Sequence, residues 1–112
     1  MKRRFRLTKS KDFQQVQRYG KSYAHPLLVL KTSPNQQTIS RIGVIAGRSV
    51  GKAVQRNRAK RLLRAAVMSF MDSITPGWDI ILIARNATTK SNLKDIQAAL
   101  ESLLERALLL QN

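Results

Sequence analysis

Cysteine is absent from this 112-residue chain, and acidic residues and histidine are scarce. The lack of cysteine excludes disulfides, cysteine-ligated zinc and a thiol nucleophile. The six acids are scattered, with none in the 59 residues between Asp12 and Asp72. A protein that cleaves phosphodiester bonds by itself needs clustered carboxylates for metal ions, or a histidine, lysine and tyrosine set for acid–base chemistry. The sequence therefore predicts a binding protein with no catalytic residue and no metal site of its own.

Long apolar runs and nucleotide-binding motifs are absent as well. The longest apolar runs, Pro26–Leu30 and Ile80–Ala84, are too short to span a bilayer. The basic N-terminus is followed by polar residues rather than by an apolar stretch, so we expect no secretory signal. The phosphate-binding patterns GxxxxGK[ST] and GxGxxG do not occur. The single histidine, His25, has no identifiable partner, which favours a structural or surface role. A cytoplasmic protein without a membrane partner is expected.

Basic residues are abundant, and their excess lies in the first half of the chain. The formal net charge is +15. Residues 1–64 contain 17 lysines and arginines and one acid, whereas residues 65–112 contain 4 basic and 5 acidic residues. A charge of this size and asymmetry indicates nucleic acid as the first candidate partner and an anionic membrane surface as the second.

The densest basic segment reads as one helix, predicted from Ala53 to Met71. On a helical wheel its apolar residues lie on one side and its cations on the other. Cations four residues apart, such as Arg56 and Lys60, destabilise an isolated helix, so a polyanionic partner is expected. Folded RNA fits better than duplex DNA because no helix-turn-helix or zipper pattern is present. The predicted buried residues are Ala59, Leu62, Leu63, Ala66, Val67 and Phe70.

Hydrophobic periodicity predicts one α/β domain over residues 1–112, with a basic arm at residues 1–7 that is extended or mobile. The first helix begins at Ser10, which we expect to cap it, and ends at Gly20. A hairpin of two strands, a third strand and a last helix complete the order α-β-β-α-β-α. The two strands of the hairpin are Pro26–Thr32 and Thr38–Gly47, the third strand is Trp78–Arg85, and residues 86–90 form a loop. The last helix is capped by Ser91 or Asn92. Its expected apolar stripe consists of Leu93, Ile96, Leu100, Leu103, Leu104, Ala107 and Leu108.

The central basic segment closely resembles a known family signature. The pattern Arg56-Asn57-Arg58-x-Lys60-Arg61-x-x-Arg64, preceded by Gly51-Lys52-Ala53-Val54, resembles the RNR signature of the bacterial ribonuclease P protein subunit. The resemblance extends along the chain. It includes Arg4-Phe5-Arg6-Leu7, Asp12-Phe13-x-x-Val16-x-x-x-Gly20, Arg41-Ile42-Gly43-Val44 and Asp79-Ile80-Ile81-Leu82-Ile83-Ala84-Arg85.

The resemblance implies an accessory subunit of an endoribonuclease. Members of this family join a large catalytic RNA, and the holoenzyme removes the 5′ leader from precursor tRNA with Mg²⁺ ions held mainly by the RNA. No obligate protein partner is implied, and the protein alone is expected to be inactive. The residues expected to face the catalytic RNA are Arg48, Lys52, Arg56, Asn57, Arg58, Lys60, Arg61 and Arg64.

The family's second surface is a cleft between the sheet and the first helix, which holds the single-stranded leader. The residues that correspond to it are Phe13, Gln17, Lys31 and Arg41. Phe13 matches an aromatic residue that stacks on a base, although ordinary core packing is an equal alternative. Many members have aromatic residues where this chain has Gln17 and Lys31, so charge and hydrogen bonding are expected to replace part of the stacking. Other aromatic residues that could supply stacking are Phe5, Tyr19 and Tyr23.

The fold implied by the resemblance is a two-layer α/β (α+β) sandwich. It has helices on a mixed four-stranded sheet and an unusual left-handed β-α-β crossover. The fourth strand is expected from a break in Thr38–Gly47 or from the segment before it. A structural RNA-binding protein such as a small ribosomal protein is the alternative function. A membrane-surface or DNA-binding module follows, and a stand-alone nuclease is disfavoured by the missing carboxylate cluster.

Overall fold

A mixed four-stranded sheet with helices forms the structure, a computed structural model that describes residues 1–111. The predicted order α-β-β-α-β-α is retained with four additions: a strand before the first predicted strand, a short helix in the predicted loop 86–90, and single 3₁₀ turns at Arg3–Phe5 and Arg48–Val50. The strands are β1 (Lys21–His25), β2 (Leu28–Pro34), β3 (Arg41–Ile45) and β4 (Trp78–Ala84). The helices are α1 (Ser10–Tyr19), α2 (Ala53–Met68), α3 (Asn86–Thr89) and α4 (Leu93–Arg106).

The strands lie in the order β1-β2-β4-β3. Strand β4 pairs antiparallel with β2 and parallel with β3. The hairpin predicted from Pro26–Thr32 and Thr38–Gly47, which correspond to β2 and β3, is therefore wrong, because β4 lies between these two strands. Four residues of β4, Ile80 to Ile83, are apolar in succession and three are fully buried, and a strand covered on both faces belongs in the centre of a sheet.

The strand that sequence analysis did not locate is β1 (Lys21–His25). It lies earlier in the chain than the two expected places, a break in Thr38–Gly47 and the segment before it. It pairs antiparallel with β2 through a tight turn at residues 26 and 27. The strand predicted at Pro26–Thr32 is consequently shifted to Leu28–Pro34. His25 has a structural role in this turn, because its Nδ1 accepts a hydrogen bond of 3.0 Å from the backbone N–H of Leu27.

Helices α2 and α4 pack on one face of the sheet and enclose the main core. The core-facing residues of β4 are Ile80, Leu82 and Ala84, which alternate along the strand as its pleat requires. The predicted packing side of α2 is confirmed, with four residues buried and two half-buried. The buried residues of α2 are Ala59, Leu63, Ala66 and Val67. Leu62, within the helix, and Phe70, just after its end, are half-buried.

Helix α1 covers part of the opposite face. Its Val16 packs with Leu7 and Ile81 in a second, smaller core cluster. Ser10 begins this helix and does not cap it, because Lys9 holds the cap position and no side chain caps the helix there. The predicted arm at residues 1–7 is also partly fixed, since Leu7 is buried and donates its N–H to the Ile42 carbonyl at 2.8 Å.

Strands β3 and β4 are parallel neighbours connected through α2, which gives the predicted β-α-β unit. The left-handed crossover stays a prediction.

The end of α4 differs from the expected apolar stripe. The helix ends at Arg106, Leu108 has a φ of 59° and is 86% exposed, and Leu109 is buried in its place. The N–H of Leu109 reaches back to the Leu104 carbonyl at 2.9 Å, as in a Schellman-type helix end.

Replacing Gly20 by alanine is expected to lower the free energy of unfolding by about 1–3 kcal/mol. A Cβ at this position would lie 2.5 Å from the Val16 carbonyl oxygen and 2.8 Å from that of Thr32, both backbone atoms. Urea unfolding of the purified variant measures the change. The control is Gly47→Ala, because a Cβ at Gly47 meets no atom within 4 Å. Equal losses in the two variants would show that the close approach of α1 to β2 is not the cause.

Candidate RNA-binding surfaces

The polar side of α2 is an exposed array of cations. Asn57, Arg58, Arg61 and Arg64 are exposed, and Arg56 and Lys60 are half-buried. Because the opposite side of the helix packs on the sheet, the core fixes the direction in which these side chains project. This orientation agrees with the helical wheel.

Carboxylates do not neutralise this array. Within residues 1–111 every salt bridge involves Arg41, so no cation of α2 is paired with an acid. The hydrogen bonds that α2 cations do make are to backbone carbonyls. Arg56 donates to the Gly51 carbonyl at 3.3 Å, and Arg58 donates to the Thr89 carbonyl at 3.4 Å. The positive charge of the helix is therefore available to a ligand.

Two further predicted residues precede α2. Arg48 lies in a single 3₁₀ turn, Arg48–Val50, and Lys52 is the residue before the first turn of α2. Both side chains are exposed. The buried Val50 anchors the turn in the main core, so the positions of the two cations depend on that contact.

The second predicted surface lies where α1 crosses the sheet. Phe13 lies over β3, Val16 contacts Ile81 of β4, and Gln17 reaches β2. Beside α1 the next row of cross-strand partners remains at least partly open. This row consists of Ala24, Val29, Ile83 and Ile45, one residue from each strand. A cleft with an apolar floor thus runs across the strands along α1, and we call it the α1 cleft.

Phe13 forms one end of the α1 cleft. A Cβ added to Gly43 would lie 2.5 Å from its ring, so the ring packs directly on the glycine backbone. Phe13 is half-buried and borders the small core cluster. The interpretation as core packing therefore applies. The ring also lines a groove of about 450 Å³, and its stacking on a base stays a prediction.

The edge of β3 connects the two surfaces. The groove beside Phe13 is lined by Lys60 of α2 as well as by Thr8, Ser10 and Gln14. A smaller cavity of about 170 Å³ brings Phe13 near Arg64, with Arg6 from the N-terminal segment. The cations of α2 and the α1 cleft are thus adjacent although they belong to helices on opposite faces of the sheet.

Gln17 and Lys31 lie at the other end of the cleft. The ammonium group of Lys31 donates a hydrogen bond of 2.7 Å to Oε1 of Gln17. The two residues at which this chain lacks the expected aromatic residues are thus paired with each other.

Arg41 is held by two carboxylates. Its Nε and Nη2 donate to Asp79 at 2.8 and 2.7 Å, and Nη1 donates to Asp12 of α1 at 3.2 Å. The hydrogen bonds to Asp79 raise the pKa of Arg41, against the opposing effect of burial. Asn35 adds a further hydrogen bond to Asp79 at 2.9 Å. The guanidinium of Arg41 is therefore engaged by the protein itself, and it ties α1 to the sheet.

Comparison with known proteins identifies the family. The sequence model of the family Ribonuclease P matches residues 1–108. The chain belongs to the ribonuclease P protein family. It is 42% identical over 103 residues to the ribonuclease P protein component of Clostridium botulinum, covering 91% of this chain and 93% of that protein. It is 40% identical over 107 residues to that of Herpetosiphon aurantiacus, covering 96% and 87%.

The fold agrees with this assignment. The solved structure of the Staphylococcus aureus RNase P protein superposes with a TM-score of 0.84 at 31% identity, covering 96% of this chain and 98% of that one. The resemblance found in the sequence is thereby confirmed. As a member of the ribonuclease P protein family, the chain is a component of a ribonuclease with an RNA partner. No helix within residues 1–111 has the length and apolarity that a membrane span requires.

The carboxylates within residues 1–111 are dispersed rather than clustered. Among the described residues no group of three or more metal-ligating side chains is close enough to hold one. Asp12 and Asp79, which do lie close to each other, are both occupied by Arg41. The role that the structure shows for these two carboxylates is therefore the ion pairing with Arg41.

Sequence reasoning missed the residues that line the β3 edge. Thr8, Ser10 and Gln14 are ordinary polar residues in the sequence, and only the crossing of α1 over β3 brings them near Lys60. Arg6 is similar, because its bridge to Ile42 places it beside Arg64. The partners of Arg41 were also missed, since Asp12 and Asp79 are 29 and 38 residues away in the chain.

Proposed function

We propose that this chain is the protein subunit of ribonuclease P, which binds the catalytic RNA and the 5′ leader of precursor tRNA in the cytoplasm. The cations of α2, which pair with no acid within residues 1–111 and lie beside an open cleft, are the observation that carries this proposal. Membership of the family supports the identity of the RNA partner.

The α2 surface suits the catalytic RNA. Arginine guanidinium groups pair with phosphates through two hydrogen bonds at once, and Asn57 can bond a sugar hydroxyl or a base edge. Folded RNA presents closely spaced phosphates, which match a dense cationic side of a rigid helix. Arg48 and Lys52, exposed just before the helix, extend the same surface.

The α1 cleft suits the leader. A single strand can lay its bases on the apolar row of the sheet, while polar groups of α1 and β2 bond its phosphates or base edges. Phe13 offers a ring at the end nearest α2. We assign Phe13, Gln17 and Lys31 to direct contact, and we assign Arg41 to holding α1 in place.

Catalysis belongs to the RNA in this proposal. Removal of the leader is a hydrolysis that Mg²⁺ ions promote, and we assign these ions mainly to the RNA, as the family resemblance implies. The protein's own residues bind and orient the substrate and bring positive charge to the junction between leader and tRNA.

The protein alone is therefore expected to leave precursor tRNA intact. Reconstitution with a ribonuclease P RNA should give Mg²⁺-dependent cleavage at the mature 5′ end, measured by gel electrophoresis of end-labelled precursor. Nuclease-treated, RNA-free protein is the control. Processing by that control would contradict the proposal.

A structural RNA-binding protein, such as a small ribosomal protein, is the second candidate because its basic helix would look the same. The RNA that copurifies with the tagged protein separates the two. Our proposal requires one RNA of a few hundred nucleotides that supports leader removal, whereas ribosomal RNA would favour the alternative.

A further inference from the structure

Gln17 and Lys31 form a pair across the α1 cleft. The Lys31 ammonium donates to Oε1 of Gln17 at 2.7 Å. Gln17 is exposed and Lys31 is half-buried, so both can be reached from the cleft. Within residues 1–111 neither side chain makes another hydrogen bond.

The pairing determines which groups remain for a ligand. Oε1 of Gln17 accepts from Lys31, and this contact also fixes the amide orientation, because its nitrogen would place a donor against a donor. An ammonium group has no acceptor. What remains for a ligand are the N–H groups of the Gln17 amide and of Lys31 and one lone pair of Oε1, so donors outnumber acceptors in the pair.

Within residues 1–111 no carboxylate forms a salt bridge with Lys31. The carboxylates on this face of the sheet, Asp12 and Asp79, are both bonded to Arg41 rather than to Lys31. Along β2 the next residue on the same face is Val29, which belongs to the open apolar row. A base lying on that row would bring its own edge or its phosphate within reach of the pair.

We propose that Gln17 and Lys31 form a subsite, rich in hydrogen-bond donors, that binds one oxygen acceptor of the leader. The acceptor is either a phosphate oxygen or a keto oxygen of guanine or uracil. This inference rests on the proposed function, and it names the contact that replaces base stacking in this chain. A group that is itself a donor, such as the amino group of adenine, is disfavoured at this position because most of the groups it would meet are donors too.

The variant Gln17→Glu tests the subsite, because it replaces the donor nitrogen by an acceptor oxygen of similar size. The matched control is Gln15→Glu, on the same helix and exposed, with the same change in charge. We expect the reconstituted holoenzyme with Gln17→Glu to bind leader-bearing precursor tRNA about tenfold more weakly than the Gln15→Glu holoenzyme, since a hydrogen bond to a charged group is lost. Binding of mature tRNA, which has no leader, should be the same for both.

Modified leaders distinguish the two sources of the oxygen. If the acceptor is a phosphate, one uncharged methylphosphonate linkage should abolish the difference between the variants whatever the base. If it is a keto oxygen, replacing one guanine or uracil by adenine should abolish it. Lys31→Met, which keeps the aliphatic stem, should cause a similar loss and provides a second variant should Gln17→Glu fail to fold.

Three results would overturn the subsite. One is equal binding of leader-bearing precursor by the Gln17→Glu and Gln15→Glu holoenzymes together with normal binding by Lys31→Met. Another is an equal loss for mature tRNA, which would place the effect outside the leader. In both cases the proposed function stands if the wild-type holoenzyme still binds precursor more tightly than mature tRNA. Equal wild-type binding of the two would overturn the leader role and the subsite with it.

Discussion

The replacement Arg41→Ala is expected to lower the free energy of unfolding by about 3–5 kcal/mol. Asp79 has a side chain only 8% exposed, and it receives two hydrogen bonds from the Arg41 guanidinium. Removal of the arginine leaves this carboxylate buried without its counter-charge. Urea unfolding followed by circular dichroism measures the loss.

Two companion variants separate this effect from the loss of any cation. Arg18→Ala removes an exposed arginine of α1 and should change stability by less than about 0.5 kcal/mol. Asp12→Asn should cost less than Arg41→Ala, because Asp12 makes one contact of 3.2 Å and its side chain is 27% exposed. If Arg41→Ala is as stable as Arg18→Ala, the ion pairs do not hold α1 on the sheet.

The double replacement Arg61→Ala with Arg64→Ala is expected to weaken binding of the catalytic RNA roughly a hundredfold, about tenfold for each lost charged hydrogen bond. The slope of log K against log salt concentration should also decrease in magnitude by about 0.7–0.9 for each lost phosphate contact. Filter binding over a series of salt concentrations measures both quantities.

Stability should be unchanged in this double variant because both side chains are exposed and unpaired in the described part of the chain. Lys94→Ala, which removes an exposed cation from α4, is the control and should leave the slope unchanged. A weaker affinity with an unaltered slope would mean that Arg61 and Arg64 act on bases or through packing, not on phosphates.

The sequence predicted elements that depend on local periodicity. The wheel of α2 separated its packing side from its cations because a helix of 16 residues spans several turns. The cap of α4 was also accessible, since Asn92 Oδ1 accepts the Asp95 N–H at 2.9 Å within one turn. The exposed side of α2 could therefore be predicted, although Arg56 and Lys60 are half-buried and the RNA contacts stay a prediction.

Features that depend on distant parts of the chain could not be predicted in this way. The insertion of β4 between β2 and β3 is decided by which strand is best buried on both faces, and no local pattern shows it. Strand β1 was missed because its residues are mostly exposed and include Lys21 and Ser22, which give no apolar alternation. The contacts of Arg41 and of the Gln17–Lys31 pair likewise need α1 to be placed on the sheet.

Photo-crosslinking from single cysteines tests the central claim, two adjacent RNA-binding surfaces with different RNA partners. The chain has no cysteine, so each label has a unique position. Three exposed alanines supply matched sites, namely Ala65→Cys on α2, Ala24→Cys in the α1 cleft and Ala98→Cys on α4. In the reconstituted holoenzyme with precursor tRNA, position 65 should crosslink to the catalytic RNA, position 24 to the leader, and position 98 to neither. Crosslinks from 65 and 24 that match those from 98 in yield and target would contradict the account.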